Sequence, residues 1–336
     1  MTLTLSVVLA TFIAPSLADA SSRSIVAFND IGLAYPYAIT AHGQYVWIGN
    51  SLGGGKRSQV IRVNARTGAH LTINSPLLTD PYGLVSDGTY VWVENAASFA
   101  TSRGNISRID IATGKVTLVR SLSEQVDLAV AGPYLWAVNG ANGTLLRINK
   151  TTLAATTISS PLLDEASAVT ADKHYLWVAR DGGGPLDRGS LTKISLATGA
   201  ITAINSPYFN DAVTVTSNGG FVWMPASNHV VVRVDIATGK VIKISSKSFS
   251  VSLAITSTSR YTYVASESGN THPNQDHSYA DISQIDDATS SVHVIASKFI
   301  TRPTEIAVLG SHVWVVNQSS ALPGTTAKNL LVRVTP

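Results

Sequence analysis

The 336-residue sequence predicts an all-β fold, a seven-bladed β-propeller of four-stranded blades with the N-terminal strand completing the last blade. Three observations carry this expectation. All six tryptophans stand in one recurring phrase, the phrase returns at a near-constant interval, and every copy holds four short apolar or alternating segments between turn signals. No stretch shows a sustained 3.6-residue apolar period, so helices are not expected.

The phrase is Tyr45-Val46-Trp47-Ile48 in the first copy and Tyr90-Val91-Trp92-Val93 in the second. It returns around Trp136, Trp177, Trp223 and Trp314, and as Tyr261-Thr262-Tyr263-Val264 in the sixth copy. Successive intervals are 45, 44, 41, 46, 40 and 51 residues, the length of one propeller blade. In each copy an apolar run comes first, such as Gly83-Leu84-Val85, Asp127 to Val130 or Ala212 to Val215. The tryptophan phrase is the second segment. After a loop of variable length comes the third, such as Ile106 to Asp110 or Val231 to Asp235. A tight turn containing Thr-Gly (Thr113-Gly114, Thr238-Gly239) opens the fourth, because glycine supplies positive φ without steric cost. An equivalent aromatic in every copy reads as packing between blades. The repeated third-segment cation (Arg62, Arg108, Arg147, Arg233 and Arg333, with Lys193 as a variant) reads as blade-to-blade hydrogen bonding.

The seventh copy ends with its third segment, Leu330 to Val334, while Arg23 to Phe28 resembles a fourth segment lacking its first three. Joining the two closes the ring and protects the edge of the last blade. Before that strand, Leu3 to Leu17 is mostly apolar and Ala18-Asp19-Ala20 follows, as in a secretory signal peptide. Residues 1–20 are therefore expected to be a leader and 21–336 a single propeller domain, in a secreted or periplasmic protein with no integral membrane segment after cleavage. The charge balance, 24 basic against 21 acidic residues, is weak and unclustered, which argues against a nucleic-acid partner. The chain has no cysteine, which excludes disulfides and thiolate metal sites.

The phrase Tyr90 to Asn95, with Ile109-Asp110-Ile111-Ala112-Thr113-Gly114-Lys115-Val116 and its near-copy Val234 to Val241, resembles the YVTN-type and streptogramin-lyase-like (virginiamycin B lyase-like) propeller repeats. The resemblance covers essentially residues 22–336. It implies a seven-bladed ring, and such repeats serve unrelated functions.

Function is expected where the loops vary, at the mouth built from fourth-to-first connections and second-to-third loops. The candidate ligand-binding residues there are Tyr37, Asp80, Tyr82, Glu94, Asp127, Arg180, Asp211, Glu267 and Arg302, among mouth positions that also include Tyr35, Glu165 and Glu305. The alternative for all of them is capping strand ends and holding channel water. The acids Asp80, Glu94, Asp127, Glu165, Asp211 and Glu267 are donors suited to a divalent cation, Mg²⁺ or Ca²⁺. His272 to His277 in the copy-six loop is a metal clip or, on the plainer reading, a solvated loop.

The lyase resemblance implies a histidine at the start of an inner strand and glutamate-held Mg²⁺ near second-strand ends. Glu94 and Glu267 match the glutamate position. The inner-strand entrances carry Tyr37, Tyr82, Asp127 or Asp211, and all eight histidines lie elsewhere, so no residue is assigned the proton-shuttling role. The expected function is an exported binding or interaction module recognising a small molecule, glycan, peptide or partner protein at the mouth. A metal-assisted lyase or hydrolase and a structural surface subunit are the alternatives.

Overall fold

The structure, a computed structural model, describes residues 24–52, 58–96, 104–122, 126–180, 189–227, 229–267, 280–296, 299–318 and 329–336, apart from the side chains of 252, 253 and 296. The leader expected at 1–20 and the loop residues His272 and His277 lie outside them. Seven four-stranded antiparallel sheets form a ring. Six blades run in chain order from inner to outer strand. The seventh joins Pro303–Leu309, His312–Asn317 and Leu330–Thr335 to the N-terminal strand Ser24–Phe28. Ile25 pairs with Val334 and Ala27 with Val332, and the Phe28 ring stacks on Trp314 at 5.6 Å. The ring therefore closes by strand exchange between the two ends of the chain, as the sequence predicts.

The tryptophans sit where two blades meet. Trp47, Trp92, Trp177, Trp223 and Trp314 are at most 1% exposed. Trp92, for example, packs with Leu135, Ala137 and Ile148 of the following blade. Second strands are buried on both faces, which explains their nearly unbroken apolar sequences. The third-strand arginines have a two-sided role. Arg62, Arg108 and Arg233 lie over the rings of Tyr45, Tyr90 and Phe221 at 4.3–4.6 Å, a cation–π arrangement. Each also donates to a turn carbonyl of the next blade: Arg62 to Ile111, Arg108 to Lys150 and Arg233 to Asp287. Arg333 donates to Ala65 of the first blade, across the closure. The Asn or Asp two residues on is not the partner of this arginine. Asn64, Asp110 and Asp235 instead accept from backbone N–H groups of their own third-to-fourth turn, an Asx arrangement.

Arg108→Ala removes a charge-assisted bond of 2.9 Å and strands the Lys150 carbonyl. It is expected to cost about 1.5–3 kcal/mol in urea unfolding, whereas an exposed turn cation such as Lys115 should cost almost nothing on truncation.

Blade 5 departs from expectation. The sequence places its inner strand at Ala212 to Val215, but the ladder holds only Thr216–Ser217. Asp211 just before it has φ of 56°, a left-handed conformation that Asp tolerates better than most residues. The chain enters this blade through a turn, and Val213 is left half-exposed at the mouth.

Candidate functional site

The mouth is shaped by a device repeated around the ring. In blades 1, 2, 4, 6 and 7 the inner strand slips register by one residue near its start, between Pro36 and Ala38, Pro81 and Gly83, Ala166 and Ala168, Ser252 and Ala254, and Pro303 and Glu305. A bulge of this kind re-aims the residue it leaves out of the ladder. In blades 4 and 7 that residue is Ser167 or Thr304, whose hydroxyl donates to a carbonyl of the next blade, Ala212 or Pro36. In blades 1 and 2 it is Tyr37 or Tyr82. The two rings stack at 5.3 Å with 29° between their planes, and Tyr82 remains 46% exposed. Tyr35 beside them is also half-exposed.

The residue after the bulge is small in four blades (Ala38, Gly83, Ala168 and Ala254) and glutamate in the seventh, Glu305. Blade 3 has no bulge and places Asp127 at this level, opposite Val138. The facing second-strand positions are Gly49, Ala179, Ala265 and Val316, except in blade 2, where Glu94 faces Gly83. A side chain at residue 83 would meet this carboxylate-bearing chain, since a Cβ there would stand 3.2 Å from Glu94 Cβ. Glu94 is 1% exposed, and neither carboxylate oxygen has a hydrogen-bond partner among the described residues. The Asp80 Oδ1 atom shares that condition.

Burial pushes Glu94 up to about 8, and repulsion from Asp127 and Asp80 adds to it; the nearby Val126 N–H offsets little of this. Burial also pushes Glu305 up to about 8, again with Asp127 repelling it, although the Ile306 N–H donates to its Oε1 at 3.0 Å. Asp127 is raised to about 6 by burial, against a 2.6 Å bond donated by the Val169 N–H of blade 4. Asp127 and Glu305 are both half-buried as whole residues.

The remaining candidates behave differently. Arg180 pairs with Glu165 at 3.0 Å and Arg302 with Glu267 at 3.8 Å, so these mouth charges are matched. Glu267 is not the counterpart of Glu94: it faces Val251 at the very end of its ladder, two positions further along than the level that Glu94 occupies. Asp211 is exposed and remote in character from the buried acids. Glu305, outside the acid set singled out from sequence, belongs with Asp80, Glu94 and Asp127. Its place became visible only with the register, because the bulge before it shifts the inner strand by one residue.

Among the described residues no three His, Asp or Glu side chains come together closely enough to hold a metal ion. The donors therefore do not fit the divalent cation that the acids suggested, and no chemistry is routed through one. His42 and His312 lie at the ends of inner and second strands on the opposite rim, with His174 in the turn there; His70 and His293 lie on outer strands. His229 lies in the second-to-third turn of blade 5 with φ of 61°.

Residues 83–175 match a repeat of unknown function, DUF6923, which spans about two of the seven blades. A search of curated proteins finds no match. Among solved structures, virginiamycin B lyase from Staphylococcus aureus superposes with a TM-score of 0.70 at 16% identity, over 94% of this chain and 99% of that one. The RRP9 WD40 repeats superpose with a TM-score of 0.68 at 10% identity, over 93% and 97%. At these identities the likeness is one of fold, and it places the chain among full seven-bladed rings.

Proposed function

We propose that this chain is a binding module that takes its ligand at the central mouth. The observation that carries the reading is the joint placement, at one end of the channel, of a stacked tyrosine pair with Tyr82 exposed and buried acids that lack any ionic partner among the described residues. Buried polar atoms without partners are rare in folded proteins, and each calls for an explanation. On the opposite rim the buried aspartates among the described residues are engaged: Asp87 and Asp172 by backbone N–H groups and by the Trp92 and Trp177 indoles, and Asp287 by the Thr262 hydroxyl and the Asn218 amide. The leader-like features of residues 1–20 support work outside the cytoplasm. The fold shared with virginiamycin B lyase does not bring that enzyme's activity with it, since unrelated functions are built on propellers. No described inner-strand entrance supplies an imidazole for proton transfer.

The test is a thermal-shift screen of a small-molecule fragment library on the wild type, on Tyr82→Ala at the mouth, and on His174→Ala at the far rim. Compounds that stabilise the wild type should lose their effect with Tyr82→Ala and keep it with His174→Ala. Hits that ignore the mouth substitution and vanish with the rim substitution would overturn the reading.

A further inference from the structure

The mouth's side chains also specify a class of ligand, an argument that rests on the reading above. We infer that the mouth takes an organic cation, with an ammonium or quaternary ammonium group seated by Asp127 and Glu305 and an attached apolar body lying on the Tyr37–Tyr82 pair.

Asp127 lies near enough to Glu94 and to Glu305 to repel both, and Asp80 near enough to repel Glu94; none of the four has an ion-pair partner among the described residues, whereas Glu165 and Glu267 are each matched by an arginine. Of the four, Glu94 is 1% exposed, with no side-chain partner for either oxygen among the described residues and with Asp80 and Asp127 near enough to repel it. A buried carboxylate in this state calls for positive charge or for a proton. Asp127 and Glu305 are half-buried, and each uses a carboxylate oxygen to accept from a backbone N–H. These acids are too dispersed to ligate a bare metal ion. An ammonium group makes no such demand, because it needs a converging field more than short bonds of fixed geometry. Tyr82, 46% exposed and stacked on the half-buried Tyr37, adds an aromatic surface that attracts cations and covers hydrocarbon. An anionic or uncharged ligand would leave the acids as they are.

The experiment is isothermal titration of the protein at pH 9, above the value of about 8 to which burial raises Glu305, with benzyltrimethylammonium, benzyl alcohol and benzoate as cationic, neutral and anionic probes of one shape. The cation should bind saturably at one site, about tenfold or more tighter than the alcohol, and benzoate should not bind. The Asp127→Asn/Glu305→Gln double variant, which removes charge while keeping shape, should weaken the cation about tenfold with the fold intact by circular dichroism. Tyr82→Ala should weaken it by a smaller factor. Equal affinity for cation and alcohol would overturn the inference, as would cation binding indifferent to the double variant, or displacement of the cation by equimolar Mg²⁺. Should only neutral fragments bind and Tyr82→Ala still abolish them, this inference fails and the mouth remains a binding site. Loss of mouth dependence for probes of every charge removes both.

Discussion

Glu94→Gln is expected to raise the melting temperature at pH 8.5 by several degrees, on the order of 5–10 °C, and to leave it nearly unchanged at pH 4.5. The folded protein holds the Glu94 proton up to about 8, while the unfolded chain releases it near 4.5. Between those values the folded state binds more protons, so stability falls as pH rises through that window and levels off above it. Raising an acid from 4.5 to about 8 disfavours the ionised folded form by about 5 kcal/mol, at ~1.4 kcal/mol per pH unit. Asp127 and Asp80 contribute repulsion to that shift, so Glu94→Gln should recover a part of that figure. Glutamine keeps the size and abolishes the charge. Thermal melts of both proteins from pH 4.5 to 9 decide the matter: parallel curves would show that Glu94 is solvated or paired, and the account of the channel would fail.

The second large effect is expected at the closure. Removing residues 24–28 strips the outer edge of Leu330–Thr335, which keeps only His312–Asn317 beside it, and takes Phe28 from its stack on Trp314. Phe28 also packs in the apolar cluster that joins the last blade to the first, with Ile39, Ile48 and Ile61. The truncated chain would expose a bare edge strand beside an opened core, the combination that promotes edge-to-edge association. Its melting temperature should fall by about 10 °C or more, with aggregates in size-exclusion chromatography. Phe28→Ala, which keeps the strand, should cost about 2–4 kcal/mol and remain monomeric. A truncated protein that melts like the wild type would mean that the ring does not depend on this strand.

The propeller was legible because burial imposes a repeating demand. A second strand covered on both faces must be apolar throughout, and an aromatic filling the gap between blades must recur once per blade, as Trp47 to Trp314 do. The closing strand was legible by subtraction, a fourth segment in front and a third behind. The chemistry of the mouth was less so. Bulges at Tyr37, Tyr82 and Thr304 insert one residue, and a slip of one residue exchanges the two faces of a strand. Sequence alignment therefore could not show that Glu305 stands level with Asp127, or that Glu94 and Glu267 occupy different levels. Nor does composition show that Arg180 and Arg302 are matched by Glu165 and Glu267 while Glu94 is matched by nothing described. Pairing of that kind depends on which blades the ring brings together.

The channel mouth holds buried acids for which the described residues supply no cation, so burial keeps Glu94 and Glu305 protonated at neutral pH. Infrared spectroscopy reads this directly, because a protonated carboxyl has a C=O stretch well separated from that of a carboxylate. At pH 7, far above the ordinary carboxylate range, the wild type should retain a protonated-carboxyl band that disappears on titration to pH 9 and is strongly reduced in Glu94→Gln/Glu305→Gln. If no such band survives above pH 6, or if it is untouched by the double substitution, the acids of the mouth are ionised and compensated, and the account is contradicted.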